Sequence, residues 1–151
     1  MKSQIDHVGV MVEDLDESVR FLENAFGLAV STSSSVEPSD GSMRARFLQW
    51  GPVSIELVEL AAGPLREERL GSAQARIDHI ALAVEDIDKA LPELRDAGMQ
   101  TTTDEPWELG GRRIAFVRPE SAGGVIYQLI ESESEPAAHD ALASPEEGPT
   151  A

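Results

Sequence analysis

The amino-acid sequence predicts an α+β fold in which two similar modules share one core. Three observations predict it: a block of residues repeats at an offset of 72 positions, each copy opens with a strand-like alternation, and each alternation runs into a helical pattern. Ile5-Asp6-His7 returns as Ile77-Asp78-His79, and Val12-Glu13-Asp14 returns as Val84-Glu85-Asp86. At the same offset, Ser54-Ile55-Glu56-Leu57-Val58-Glu59 falls opposite Ile126-Tyr127-Gln128-Leu129-Ile130-Glu131.

The first strand is expected over residues 5–12, with Val8, Val10 and Val12 on one face and Ile5, His7, Gly9 and Met11 on the other. Asp14 is placed to cap a helix, with Glu17 in the capping-box position. Leu15, Val19, Leu22 and Phe26 follow at helical spacing until Gly27 stops the helix. After a Ser-rich loop, strands are expected over 43–50 and 53–60, joined at Gly51-Pro52. Residues 61–76 contain Gly, Pro and charged side chains and read as a linker holding about one helical turn.

The second module repeats this plan. Asp86 caps a helix that ends at Gly98, and Pro92 within it implies either a start near Leu91 or a kink. Segments 112–118 and 125–131 supply the later strands, separated by Pro119-Glu120-Ser121-Ala122-Gly123-Gly124. Neither module can bury its sheet alone, so the two are expected to pair. One domain is therefore expected over 4–132, with module one at 4–60, the linker at 61–76 and module two at 77–131.

Composition narrows the chemistry. With 41 % hydrophobic residues in 151, the chain can bury a sizeable core. No apolar run is long enough to span a membrane and no secretory signal is evident, so a soluble cytoplasmic protein is expected. The absence of cysteine removes disulfides, thiolate metal sites and thiol nucleophiles, so any metal must be held by nitrogen and oxygen. The net charge of -16 argues against nucleic-acid or anionic membrane partners. Part of that charge lies in 133–151, a Ser, Pro, Ala and Glu-rich stretch without apolar period that reads as a disordered acidic tail. Gly-x-Ser-x-Gly, phosphate-loop and dinucleotide fingerprints are absent.

Strand periodicity leads to the site. His7 shares its face with Gly9, and His79 shares its face with Ala81 and Ala83, whereas Val8, Val10, Ile80, Leu82 and Val84 point the other way. Small neighbours leave room for a cavity. Glu56 and Gln128 sit mid-strand among apolar residues, where a buried carboxylate needs a metal or a charged partner. Glu59 and Glu131 fall on the opposite strand face and are expected to meet solvent. A single buried histidine is more often a hydrogen-bonded core residue than a ligand; four polar positions repeating together point to a shared metal site.

These residues resemble the vicinal oxygen chelate superfamily, and within it the methylmalonyl-CoA epimerases. The likeness rests on Ile5-Asp6-His7-Val8-Gly9-Val10, on Ile77-Asp78-His79-Ile80-Ala81, and on Gly110-Gly111-Arg112-Arg113-Ile114-Ala115-Phe116-Val117 with Pro119 to Val125. The resemblance implies two paired βαβββ modules closing into a metal-binding cup, usually in a homodimer. It places the metal ligands on His7, Glu56, His79 and Gln128, a nitrogen and oxygen set suited to one divalent cobalt, nickel, manganese, magnesium or zinc ion per cup. It implies removal of a proton from carbon beside the carbonyl of an acyl-CoA thioester, hence a racemase or epimerase.

The chain departs from that family where its two catalytic glutamates are expected, since the first falls at or near Arg44 and the second is Gln128. Glu56 is then the catalytic base, and of the clustered arginines Arg44 and Arg113 are the expected substrate-binding pair. Two alternatives follow from the same resemblance: a lactoylglutathione lyase of the glyoxalase I kind, and a ligand-sequestering resistance protein without turnover.

Overall fold

The computed structural model describes residues 1–31 and 35–132, and the expected acidic tail lies outside the described residues. In the first module β1 (Ser3–Val12) leads into α1 (Leu15–Phe26), and the chain returns through β2 (Met43–Trp50) and β3 (Val53–Leu60). A short helix, α2 (Pro64–Arg69), lies in the linker. The second module follows as β4 (Ala75–Val84), α3 (Ile87–Asp96), β5 (Trp107–Leu109), β6 (Arg112–Val117) and β7 (Ile126–Glu131).

The seven strands form one mixed sheet in the order β2-β3-β1-β4-β7-β6-β5, curled into a half-barrel. β1 runs parallel to β3 and β4 runs parallel to β7, while β1 and β4 meet antiparallel at the seam between the modules. The α+β class and the paired modules expected from the repeat are thus observed. In module one, the described residues between α1 and β2 contribute isolated bridges, Val30 to Leu48 and Val36 to Ala45.

Helix ends follow the local chemistry. The Asp14 carboxylate accepts from the Glu17 N–H at 2.8 Å, and Gly27 closes α1 in the left-handed region at φ 67°. Asp86 accepts from the Lys89 N–H at 3.0 Å, so α3 starts at Ile87 and not near Leu91. The helix runs on through Pro92, whose missing N–H removes one bond of the ladder, because Ile87, Ala90, Leu91 and Leu94 are all buried against the sheet. Glu59 and Glu131 correct a second expectation. Instead of meeting only solvent, Glu59 accepts from the Leu15 N–H at 2.7 Å and Glu131 from the Ile87 N–H at 3.1 Å. The free N–H groups of a helix start draw a carboxylate from across the module.

The helices cover one face of the sheet. Leu15 of α1 packs on Val12, Leu48 and Leu57, and Ile87 of α3 packs in a cluster with Val84, Ala115, Val117 and Leu129. Strand alternation sends Glu56 and Gln128, the neighbours of Leu57 and Leu129, to the opposite, concave face. On that face Met11, Ala45, Val58 and Leu70 close one end, and Ala81, Ala83, Ile114 and Ile130 close the other. No helix among the described residues is long and apolar enough to cross a membrane.

Leu15 and Ile87 are equivalent under the repeat and both fully buried. Truncating either to alanine is expected to cost about 2–5 kcal/mol. Urea denaturation checks this: each variant should show a lower midpoint with an unchanged slope, and a midpoint within error of wild type would show that the helix start contributes little.

Candidate metal centre and active site

At the seam each histidine faces a residue with almost no side chain. His7 lies opposite Ala81 and His79 lies opposite Gly9. A Cβ on Gly9 would come within 2.0 Å of His79 Cε1, so the gap that the glycine leaves is filled by the imidazole of the other module. A cavity is what the small side chain suggests in the sequence; the structure fills that gap with the His79 ring. Glu56 extends the row on the far side of Gly9, and Gln128 lies on the far side of Ala81. Phe47 and Phe116, cross-strand neighbours of Glu56 and Gln128, set their rings edge-on to His7 and His79 at 5.2 and 5.6 Å.

Three donor atoms meet there. His7 Nε2 and His79 Nε2 lie 3.2 and 3.3 Å from the same oxygen, Glu56 Oε2, and 3.3 Å from each other. All three residues are buried, as is Gln128, whose Oε1 has no hydrogen-bond partner. Adjacent donors around an octahedral divalent ion with bonds of ~2.1 Å stand about 3 Å apart, so this triangle fits one face of such a shell. An orphaned buried amide oxygen is costly to leave unpaired, and Gln128 Oε1 is a further oxygen donor in the same cup. His7, Glu56, His79 and Gln128 therefore fit a divalent ion.

Behind each imidazole stands the carboxylate that precedes it in sequence. Asp6 Oδ1 lies 2.7 Å from His7 Nδ1, and Asp78 Oδ2 lies 2.8 Å from His79 Nδ1. Burial alone would lower the His7 pKa, but hydrogen bonds to Asp6 and Glu56 outweigh it and raise the group to about 9. His79 is also raised, burial being outweighed by Asp78 and Glu56. Burial opposes ionisation of Glu56, yet the two imidazoles hold its carboxyl below the usual range.

The cup has a volume of about 420 Å³ and is lined by His7, Glu56 and Gln128 together with Asp6, Phe47 and Arg112. Arg44 and Arg113 do not reach it. Strand parity turns both to the helix-covered face, where Arg44 pairs with Asp16 at 3.1 Å and Arg113 grips Asp88 at 2.6 and 2.9 Å. Arg112, one residue earlier, is the arginine that lines the cup. Sequence reasoning also passed over Asp6 and Asp78, although the repeated Asp-His pair carried that signal.

The family profile of the Glyoxalase/Bleomycin resistance protein/Dioxygenase superfamily matches residues 6–116. The uncharacterized protein YqjC of Bacillus subtilis is 30 % identical over 131 residues, covering 85 % of this chain and 92 % of that protein. Human mitochondrial methylmalonyl-CoA epimerase is 25 % identical over 137 residues, covering 85 % of this chain and 74 % of its own. The structure of Streptomyces coelicolor methylmalonyl-CoA epimerase in complex with 2-nitronate-propionyl-CoA superposes with a TM-score of 0.77 at 27 % identity, over 87 % of this chain and 98 % of that one. The chain belongs to the glyoxalase/bleomycin resistance protein/dioxygenase superfamily.

Proposed function

We propose that this protein is a metal-dependent enzyme that removes a proton from the carbon beside the carbonyl of an acyl-CoA thioester, as a cytoplasmic homodimer related to the methylmalonyl-CoA epimerases. One observation carries the proposal: Glu56 Oε2 stands 3.2 and 3.3 Å from two imidazole nitrogens, with the unpartnered Gln128 Oε1 in the same cup. His7, His79, Glu56 and Gln128 would hold the ion. When bound, it supplies positive charge beside the substrate oxygen on which negative charge develops. The likeness to epimerases, one of them seen with an acyl-CoA analogue, supports the substrate class.

The chain's own groups divide the remaining work. Glu56 is the base: its carboxylate lines the cup and can take a proton from a substrate carbon placed there. Gln128 can bind through its amide oxygen but cannot carry a proton. Asp6, the other carboxylate lining the cup, is tied to His7 and Arg112. A single base favours transfer between two carbons on one side of the substrate over inversion, so a lactoylglutathione lyase-like reaction is the second reading.

In deuterium oxide, metal-loaded protein should exchange the α-proton of methylmalonyl-CoA, followed by NMR, faster than the metal-free control. Glu56→Gln should slow exchange about 10²–10⁴-fold while retaining the metal through its amide oxygen. Exchange no faster than the control would sink the thioester reading, and turnover of a hemithioacetal would then establish the second; tight ligand binding without turnover of either would point to sequestration.

Metal uptake should depend on pH with a definite sign. Below about 9 a proton occupies His7 in the metal-free protein and the ion must displace it. Apparent affinity should therefore climb by about tenfold per pH unit for each proton displaced and level off above the His7 pKa. Calorimetric titration with cobalt across this range checks it; an affinity independent of pH would contradict binding at the imidazoles.

A further inference from the structure

The two imidazoles are related by the repeat, but the groups that hold them are not. Asp78, behind His79, is almost fully buried, with a side chain 3 % exposed. It is gripped through both oxygens by Arg69, whose Nε donates to Oδ1 at 2.6 Å and whose Nη2 donates to Oδ2 at 2.5 Å. Asp6, behind His7, is 23 % exposed and meets Arg112 through one nitrogen at 3.3 Å. The arginines also come from unlike places. Arg112 lies on β6, within the repeated sheet, whereas Arg69 ends α2, in the linker between the modules.

We infer that Arg69 is a positioning residue for His79, which makes the inter-module linker a working part of the candidate metal centre. A guanidinium fork matches a carboxylate in one plane, so the paired bonds fix Asp78 in orientation as well as in charge. Asp78 Oδ2 then accepts the Nδ1 proton of His79, which sets the ring plane and leaves Nε2 facing Glu56. Leu70, the residue after Arg69, packs with Met11, Ala45 and Val58 on the concave face, so α2 is anchored by apolar contact as well. Arg66 of the same helix serves the backbone instead, donating to the carbonyls of Leu60 and Glu13. His79 is therefore the rigid ligand of the pair, and His7, held by the looser Asp6 and Arg112 contact, is the compliant one.

This inference rests on the reading of His79 as a metal ligand, and two measurements separate the two claims. In the metal-free protein with ¹⁵N-labelled histidine, His79 should give a solvent-protected, downfield Nδ1–H resonance. Arg69→Gln should broaden or abolish it, Arg69→Lys should leave it in part, and Arg66→Gln, a control for loosening of α2, should leave it intact. Circular dichroism confirms that each variant folds, and Asp78→Asn provides a second route to the same loss. In cobalt titrations Arg69→Gln should bind about 10- to 100-fold more weakly than wild type, with an altered ligand-field spectrum. A resonance unchanged in Arg69→Gln overturns the inference whatever the metal affinity does, as does loss of the resonance with wild-type cobalt affinity and spectrum. If wild type takes up no cobalt, the ligand reading fails, and the Nδ1–H resonance still decides whether Arg69 positions His79.

Discussion

The structure turns on the antiparallel pairing of β1 with β4. That register sets each histidine against a residue with almost no side chain, Gly9 or Ala81, so the His79 imidazole reaches across the seam to the carboxylate oxygen that His7 meets within its own module. A slip of one residue would send both rings to the helix-covered face and bring Val8 and Ile80 into the cup. Burying Glu56 unpaired would be expensive, and the convergence of both Nε2 atoms on its Oε2 is what makes that burial tolerable. The other features of the cup serve this meeting: aromatic edges from Phe47 and Phe116 confine the rings, and aspartates behind them hold their far nitrogens.

Duplication explains the scaffold, and departures from it describe the chemistry. The repeat supplies paired helices, paired carboxylates at the helix starts and paired Asp-His dipeptides. It is broken at Gln128, which stands where Glu56 has its equivalent, and at the arginines behind the two aspartates. The first break leaves Glu56 as the one carboxylate of that pair, since the Gln128 amide cannot carry a proton. The second leaves one imidazole tightly framed and the other more open, on the side of the cup that Arg112 lines.

Much of the fold was legible in the sequence because it rests on local rules. Alternation placed the strands, Asp14 and Asp86 announced the helix starts, and the 72-residue offset announced the pairing. Of the two readings of Pro92, the late start fails because the Asp86 cap and the burial of Ile87 outweigh one lost hydrogen bond. Of the site, the four repeating polar positions could be named, since repetition marks them. Arg44 and Arg113 could not be judged without exact strand parity, which a one-residue change of register inverts. Arg69 was hidden for another reason: it belongs to the linker, has no counterpart in the repeat, and reaches Asp78 only through the tertiary fold.

The most direct test of the central claim is an anomalous difference map from a cobalt-soaked crystal. The account predicts one peak per chain at the seam, within coordinating distance of His7 Nε2, His79 Nε2, Glu56 Oε2 and Gln128 Oε1. A cup without a peak, or a peak bound by surface carboxylates away from the two imidazoles, would contradict it.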